Sequence, residues 1–151
     1  KVAVAAEAVK EFATEFKEEA TKAVVASSQL TQETQKLRDQ QRDLNVEYAE
    51  ARAEIEQLKQ KRDDERLSIE ERVAAAQRAS DLDQEFAQRR EAIANAEVAL
   101  IQREINVQGD SIERQERLAE ARIAAAEAAE SSAAVQTDDL YLRTRTRGNC
   151  Y

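Results

Sequence analysis

One position of a seven-residue repeat is apolar nine times in succession, beginning at the second residue of the chain. Its members are Val2, Val9, Phe16, Ala23, Leu30, Leu37, Leu44, Ala51 and Leu58. A heptad repeat holds one stripe of side chains against a partner helix, because supercoiled helices share 3.5 residues per turn. The stripe therefore predicts a coiled-coil helix over residues 1–62, with a self-association seam along it.

Charged residues flank this stripe in an order that predicts the direction of a partner helix. If the stripe occupies heptad position d, each residue at position g faces the residue at position e five positions later on a parallel copy. Three such pairs occur: Glu33 with Arg38, Glu47 with Arg52 and Glu54 with Lys59. They favour a parallel, in-register homo-oligomer, although each exposed pair contributes only roughly a few tenths of a kcal/mol.

The other core position of the repeat, position a, is poor in large apolar side chains. Its members are Ala6, Ala13, Ala20, Ser27, Thr34, Gln41, Tyr48, Ile55 and Arg62. These residues bury little apolar area, so this helix is expected to associate weakly on its own. The alternative to a parallel copy is an antiparallel partner helix within the same chain.

The composition agrees with long helices and differs from that of a compact enzyme. The 151 residues include no Pro, two Gly, 36% charged residues and 4% aromatic residues, which predicts an all-α coiled coil or elongated helical bundle. The net charge of −8 is spread along the chain and favours protein partners over nucleic acid. No stretch approaches 18 apolar residues, so we expect neither a membrane span nor a signal peptide. Cys150 has no second cysteine with which to form an internal disulfide.

Two short breaks, at residues 63–67 and 108–111, divide the chain. Ser68 and Glu71 form a predicted capping box that starts a second helix over residues 68–108. Gly109 is expected to end that helix in the left-handed conformation, and Asp110 to cap a third helix over residues 111–142. The sequence does not distinguish kinks from hairpin turns at these breaks.

The second and third predicted helices differ in their apolar surfaces. The stripe of the second helix widens near its end through Val98, Ile101 and Ile105, which predicts packing against two neighbouring helices. The third helix is rich in alanine, which either sustains the helix by propensity alone or permits a close interface. Residues 143–151 form a predicted basic tail with alternating arginines, which contacts phosphates or an acidic tube wall, or is simply a solvated terminus.

Catalytic chemistry is mostly excluded by missing residue types. The chain contains no His, which removes the commonest general base and the usual partner of a Ser or Cys nucleophile. Two glycines cannot build a phosphate-binding loop, and the acidic break lacks the glycine of a calcium-binding loop. We therefore expect no enzyme activity, no catalytic residue, no cofactor and no metal site.

The run Leu58–Ala79, which reads LKQKRDDERLSIEERVAAAQRA, resembles the helical part of bacteriophage tail tape-measure proteins. In that family a short acidic break followed by a Ser-x-Glu-Glu-Arg helix start recurs between long charged helices, as does a Gly-Asp-Ser step like that at residues 109–111. The resemblance covers roughly residues 30–140. The chain contains no methionine, which fits a segment of a longer protein.

This resemblance implies a structural role in a virion. Tape-measure proteins are made in the bacterial cytoplasm and lie as a few extended copies along the lumen of the tail tube. There they contact tail tube and tail tip proteins, scaffold tail assembly, set the tail length and leave ahead of the genome. The alternative is a coiled-coil arm or adaptor of a cytoplasmic machine, such as a chromosome-maintenance ATPase or a motility scaffold. That alternative predicts that the first two helices fold back antiparallel.

Overall fold

The computed structural model describes the backbone of residues 2–148 and the side chains of residues 14–137 except residue 16. It contains three α-helices: α1 over Val2–Asp63, α2 over Ile69–Gln108 and α3 over Ile112–Gly148. The helices pack side by side, and no strand occurs within residues 2–148. The all-α prediction is confirmed, and the two helix breaks lie where the sequence placed them.

Both breaks are hairpin turns, so α2 runs antiparallel to α1 and α3 runs antiparallel to α2. Glu33 of α1 forms an ion pair with Arg103 of α2, and Glu47 pairs with Arg89. The residue numbers of both pairs add to 136, as expected for antiparallel neighbours in one register. By this register the end of α2 at Gln108 lies level with residue 28 of α1.

The α1–α2 turn is held by the predicted capping box. The Ser68 hydroxyl accepts a hydrogen bond from the Glu71 backbone amide at 3.2 Å, and a Glu71 carboxylate oxygen accepts one from the Ser68 amide at 3.0 Å. Arg72 donates to the Arg62 carbonyl oxygen at 2.8 Å. This bond satisfies one of the carbonyl groups that the end of α1 leaves without a helical partner.

The α2–α3 turn differs from the prediction in two details. Gly109 has a positive φ of 86°, but its ψ of 169° lies outside the left-handed helical region that was expected. The residue that caps α3 is Ser111 and not Asp110, because the Ser111 hydroxyl accepts from the Arg114 amide at 3.2 Å. The Asp110 carboxylate instead accepts from the Gln115 side chain at 2.8 Å.

The predicted seam is the buried stripe of α1 over residues 30–58, and its partner is α2 of the same chain. Leu30 and Leu44 are buried, as is Ile55 of position a. Three further members of the stripe are half-buried: Leu37, Ala51 and Leu58. Ala23 is exposed, because α2 ends before reaching it. Three members, Val2, Val9 and Phe16, lie outside the described side chains.

The widened apolar stripe of α2 packs against two neighbouring helices, as predicted. Phe86 contacts Tyr48 of α1, whereas Ile101 and Ile105 pack against Leu118 of α3. At 3.6 residues per turn, Ile101 and Ile105 point about 60° and 100° around α2 from Phe86. In the described part of the chain, α1 and α3 pack on α2 without contacting each other.

The third helix buries a seven-residue repeat of mostly small side chains against α2. Its buried members are Leu118, Ala121, Ala125 and Ser132. Two alanines of this face, Ala121 and Ala125, are therefore buried, and the roles considered for the other alanines stay predictions. The helix also continues to Gly148, so most of the predicted basic tail of residues 143–151 has a helical backbone. The arginine side chains of that segment lie outside the described side chains.

Candidate interaction surfaces

The edge of α1 that faces away from α3 carries three carboxylates, all paired with arginines of α2. We call it the acidic edge; its members are Glu33, Glu47 and Glu54. Glu47 lies 2.6 Å from Arg89, Glu54 lies 3.7 Å from Arg78, and Glu33 binds Arg103. The hydrogen bond that the Arg89 guanidinium donates to Glu47 raises the pKa of Arg89. These pairs are exposed, so they select the antiparallel register more than they stabilise it.

The opposite edge of α1 is basic and lies on the side of α3. We call it the basic edge; its members are Arg38, Arg52 and Lys59. The Lys59 ammonium lies 3.3 Å from Asp83, which is about 60° around α2 from Phe86 in the direction of α3. No ion pair of Arg38 or Arg52 occurs among the described side chains.

The six residues predicted to pair between parallel copies are thus used differently in the folded chain. Glu33, Glu47, Glu54 and Lys59 bind α2, and Arg38 and Arg52 remain exposed. The parallel pairing between two copies of α1 stays a prediction.

An aromatic contact that the sequence reasoning missed joins the middle of α1 to α2. The rings of Tyr48 and Phe86 meet edge to face, with their centroids 5.2 Å apart. The guanidinium carbon of Arg90 lies 3.9 Å from the centroid of the Tyr48 ring, and that of Arg89 lies 5.5 Å from the centroid of the Phe86 ring. The signal in the sequence that would have predicted this contact is side-chain size, because each aromatic residue is the largest member of its own stripe.

A second missed cluster lies between α2 and α3. The Glu104 side chain is only 22% exposed, and its carboxylate forms ion pairs with Arg117 at 3.0 Å and with Arg114 at 3.6 Å. Arg114 also donates to the Gly109 carbonyl oxygen at 3.0 Å and to the Gln108 side chain at 2.9 Å. One arginine therefore joins the end of α2, the turn and the start of α3.

The amino-terminal part of α1 extends past the hairpin without a partner helix in the described part of the chain. We call residues 2–28 the overhang. Within it, Val24 is 69% exposed and Val25 is 50% exposed. Its described side chains over residues 17–25 are all exposed, so α2 leaves this part of the predicted seam uncovered at Ala23.

The described residues form helix faces with shallow grooves between them. No group of three or more Asp, Glu, Cys or His side chains that could hold a metal ion occurs among them. No helix in the described part of the chain is long and apolar enough to cross a membrane. No family model matches the chain, and no curated protein or solved structure matches it either.

Proposed function

We propose that this chain is a structural segment of a bacteriophage tail tape-measure protein. The observation that carries the proposal is the run Leu58–Ala79, which resembles that family and forms the corner of the α1–α2 hairpin, with Ser68 and Glu71 in its capping box. As such a segment, the chain scaffolds the tail tube, contributes to the tail length and leaves before the genome. Its partners are then other copies of the same protein and the tail tube and tail tip proteins.

The two hairpin turns determine the length that each copy of the chain contributes along the tail. The 62 residues of α1 span roughly 93 Å at 1.5 Å per residue. The three helices together have 139 residues, or roughly 209 Å if they were placed end to end. Because α2 and α3 fold back along α1, the folded chain supplies about the length of α1 alone.

A register-matched duplication tests whether this segment sets the tail length. It also distinguishes a segment that measures length as the folded hairpin from one that measures it as an extended helix. Residues 37–50 of α1 lie level with residues 86–99 of α2, by the register of the ion pairs. The α2–α3 contacts place residues 121–134 of α3 at the same height. Duplicating all three segments in the intact phage protein adds two heptads to each helix and preserves every interface.

The tail length, measured by electron microscopy, is then expected to increase. The increase is about 21 Å if the segment measures length as the folded hairpin, and about 63 Å if it measures length as an extended helix. The control variant Ile69→Glu, at a side chain that is 77% exposed, is expected to leave the length unchanged. Tails of unchanged length in the duplicated variant would contradict the proposal.

The second candidate function is an arm or adaptor of a cytoplasmic machine, and one observation favours it. The helices α1 and α2 fold back antiparallel, as that alternative predicts. Mass spectrometry of purified virions and of host cytoplasm separates the two functions. Peptides of this chain within virions support the tail protein, and peptides confined to a cytoplasmic complex support the arm.

A further inference from the structure

The buried stripe of α1 and the stripe of α2 that faces it belong to one heptad repeat. The stripe of α1 ends at Leu58, and Ala79 of α2 lies 21 residues later, which is three whole heptads. Phe86, Ile93 and Leu100 continue in the same phase. All four of these α2 residues are buried or half-buried. A helix that ran on without the turn would therefore carry both stripes along one face.

The α1–α2 turn contains no residue that requires a bend in the backbone. Residues 64–68 include neither Gly nor Pro, and in the described backbone no residue other than Gly109 has a positive φ. Residues with negative φ reach the helical region without a steric penalty. The second turn differs, because the φ and ψ of Gly109 are not those of a helix. The first turn is therefore the one that can straighten.

The side chain at the start of α2 is exposed in the hairpin but falls on the seam of a straightened helix. Ile69 is 77% exposed. It lies 14 residues after Ile55, which is buried at position a, so it occupies the same position two heptads later. A straight helix covered by a partner would bury this isoleucine, and that burial favours the straight form.

A second copy of the chain is the partner that the existing contacts specify. Once α1 and α2 form one helix, α1 no longer reaches α2 of its own chain. An antiparallel second copy presents the same α2 surface in the same register. The pairs of Glu33 with Arg103 and of Glu47 with Arg89 then form between copies. The α1–α2 interface is thus kept, and only the turn is replaced by helix.

The middle of such a pair carries charges of both signs. The residue numbers of the ion pairs add to 136, so a twofold axis passes level with Ser68. Three charged layers lie beside the axis: Asp64 with Arg72, Arg66 with Glu70, and Glu65 with Glu71. The first two layers are complementary and the third is repulsive. The affinity therefore comes mainly from the interface that the hairpin already uses.

We propose that two copies of this chain exchange α1, so that residues 2–108 of each copy form one continuous helix and the two helices pack antiparallel. Such domain swapping closes the assembly, because each copy gives one α1 and receives one. By this register, 132 residues of helix separate the starts of the two α1 helices. The exchanged dimer is therefore roughly 200 Å long, whereas the monomer keeps the roughly 93 Å of α1. The exchange is a property of the chain itself and does not depend on the proposed tail function.

Refolding at two protein concentrations tests whether the exchange occurs. At high concentration a second copy competes with the chain's own α2, so the wild-type chain is expected to form a dimer after dilution from urea. At low concentration it is expected to refold as the monomer. Sedimentation velocity measures both populations. A chain that stays monomeric at both concentrations overturns the proposal.

Ile69→Pro separates the two forms, because proline fits the hairpin but not the straight helix. Proline is favoured at the first position of a helix, and Ser68 already has the extended φ of −62° and ψ of 157° that suit a residue before proline. Inside a continuous helix the same proline removes a backbone hydrogen bond and clashes with the preceding turn. The variant is expected to raise the dimer dissociation constant about a hundredfold or more. Circular dichroism of its monomer is expected to match the wild type.

The matched control is Ile112→Pro, at the first position of α3, where the isoleucine is 81% exposed. It is expected to leave the dissociation constant unchanged, because the α2–α3 turn stays closed in both forms. Ser68→Ala acts in the opposite direction, since it removes the cap of the hairpin and suits a helix interior. It is expected to lower the constant about tenfold. A dimer that Ile69→Pro does not weaken overturns the proposal.

Crosslinking distinguishes the exchange from two intact hairpins lying side by side. The variant carries Glu47→Cys and Arg89→Cys, at residues that form an ion pair between α1 and α2, together with Cys150→Ser. A short bismaleimide is expected to join two chains in the dimer and to link the two cysteines of one chain in the monomer. A dimer in which every crosslink lies within one chain overturns the exchange. A maximum dimension of the dimer near the roughly 93 Å of α1, in small-angle X-ray scattering, overturns it as well.

Discussion

At the α1–α2 turn, single side chains replace the hydrogen bonds that the two helix ends cannot form internally. Ser68 and Glu71 satisfy each other's backbone amides, and Asp64 accepts from both the amide and the guanidinium of Arg66. The bonds from Arg66 lower the pKa of Asp64 to about 2. The bonds from the backbone and side chain of Ser68 also lower the pKa of Glu71. The turn is therefore stabilised by ionised carboxylates.

This residue-scale arrangement predicts a pH dependence of the free energy of unfolding. The folded pKa of Asp64 lies below its ordinary value of 3.8, so its contribution is complete above about pH 4 and is lost as the pH falls towards about 2. Urea unfolding, followed by circular dichroism between these pH values, is expected to show a smaller decrease for Asp64→Asn than for the wild type. Equal decreases in the two proteins would contradict this assignment.

At the scale of the elements, the backbone of Gly109 makes the second hairpin possible. Its amide donates to the Ile105 carbonyl oxygen at 2.9 Å while its φ is 86° and its ψ is 169°. This combination is open almost only to glycine. A Cβ at this position would meet no heavy atom within 4 Å, so the requirement for glycine comes from the backbone and not from crowding.

Gly109→Ala is therefore expected to lower the free energy of unfolding by about 1–3 kcal/mol. Thermal and urea unfolding measure this change. The matched control carries D-alanine at residue 109, introduced by semisynthesis, because it adds the same methyl group while favouring positive φ. If both variants lose the same stability, crowding rather than backbone strain is responsible.

At the scale of the whole molecule, the two hairpin turns predict the maximum dimension of the folded chain. The maximum dimension in small-angle X-ray scattering is expected to be close to the roughly 93 Å of α1. A maximum dimension near the roughly 209 Å of three helices end to end would show that the hairpins open in solution.

Much of the local structure was accessible from the sequence because it depends on neighbouring residues. The capping box of Ser68 and Glu71 lies within four consecutive residues, and the glycine that ends α2 acts through its own φ. The cap of α3 was placed one residue early because Asp110 and Ser111 are both good capping residues. Only the folded turn shows which of the two faces the Arg114 amide.

The buried stripe of α1 was also determined by the sequence, since a heptad repeat fixes which side chains share one face. Its partner was not determined, because Glu47 is complementary to Arg52 of a parallel copy and also to Arg89 of an antiparallel helix. Charge complementarity between residues far apart in the sequence can be satisfied by more than one helix pairing. The chain adopts the antiparallel pairing because the short turn between α1 and α2 directs α2 back along α1. The sequence by itself therefore decided the three helices, the two breaks between them and the face that α1 buries over residues 30–58. The tertiary structure decided the antiparallel pairing and how much of α1 the second helix covers, because these depend on where the turns direct each helix.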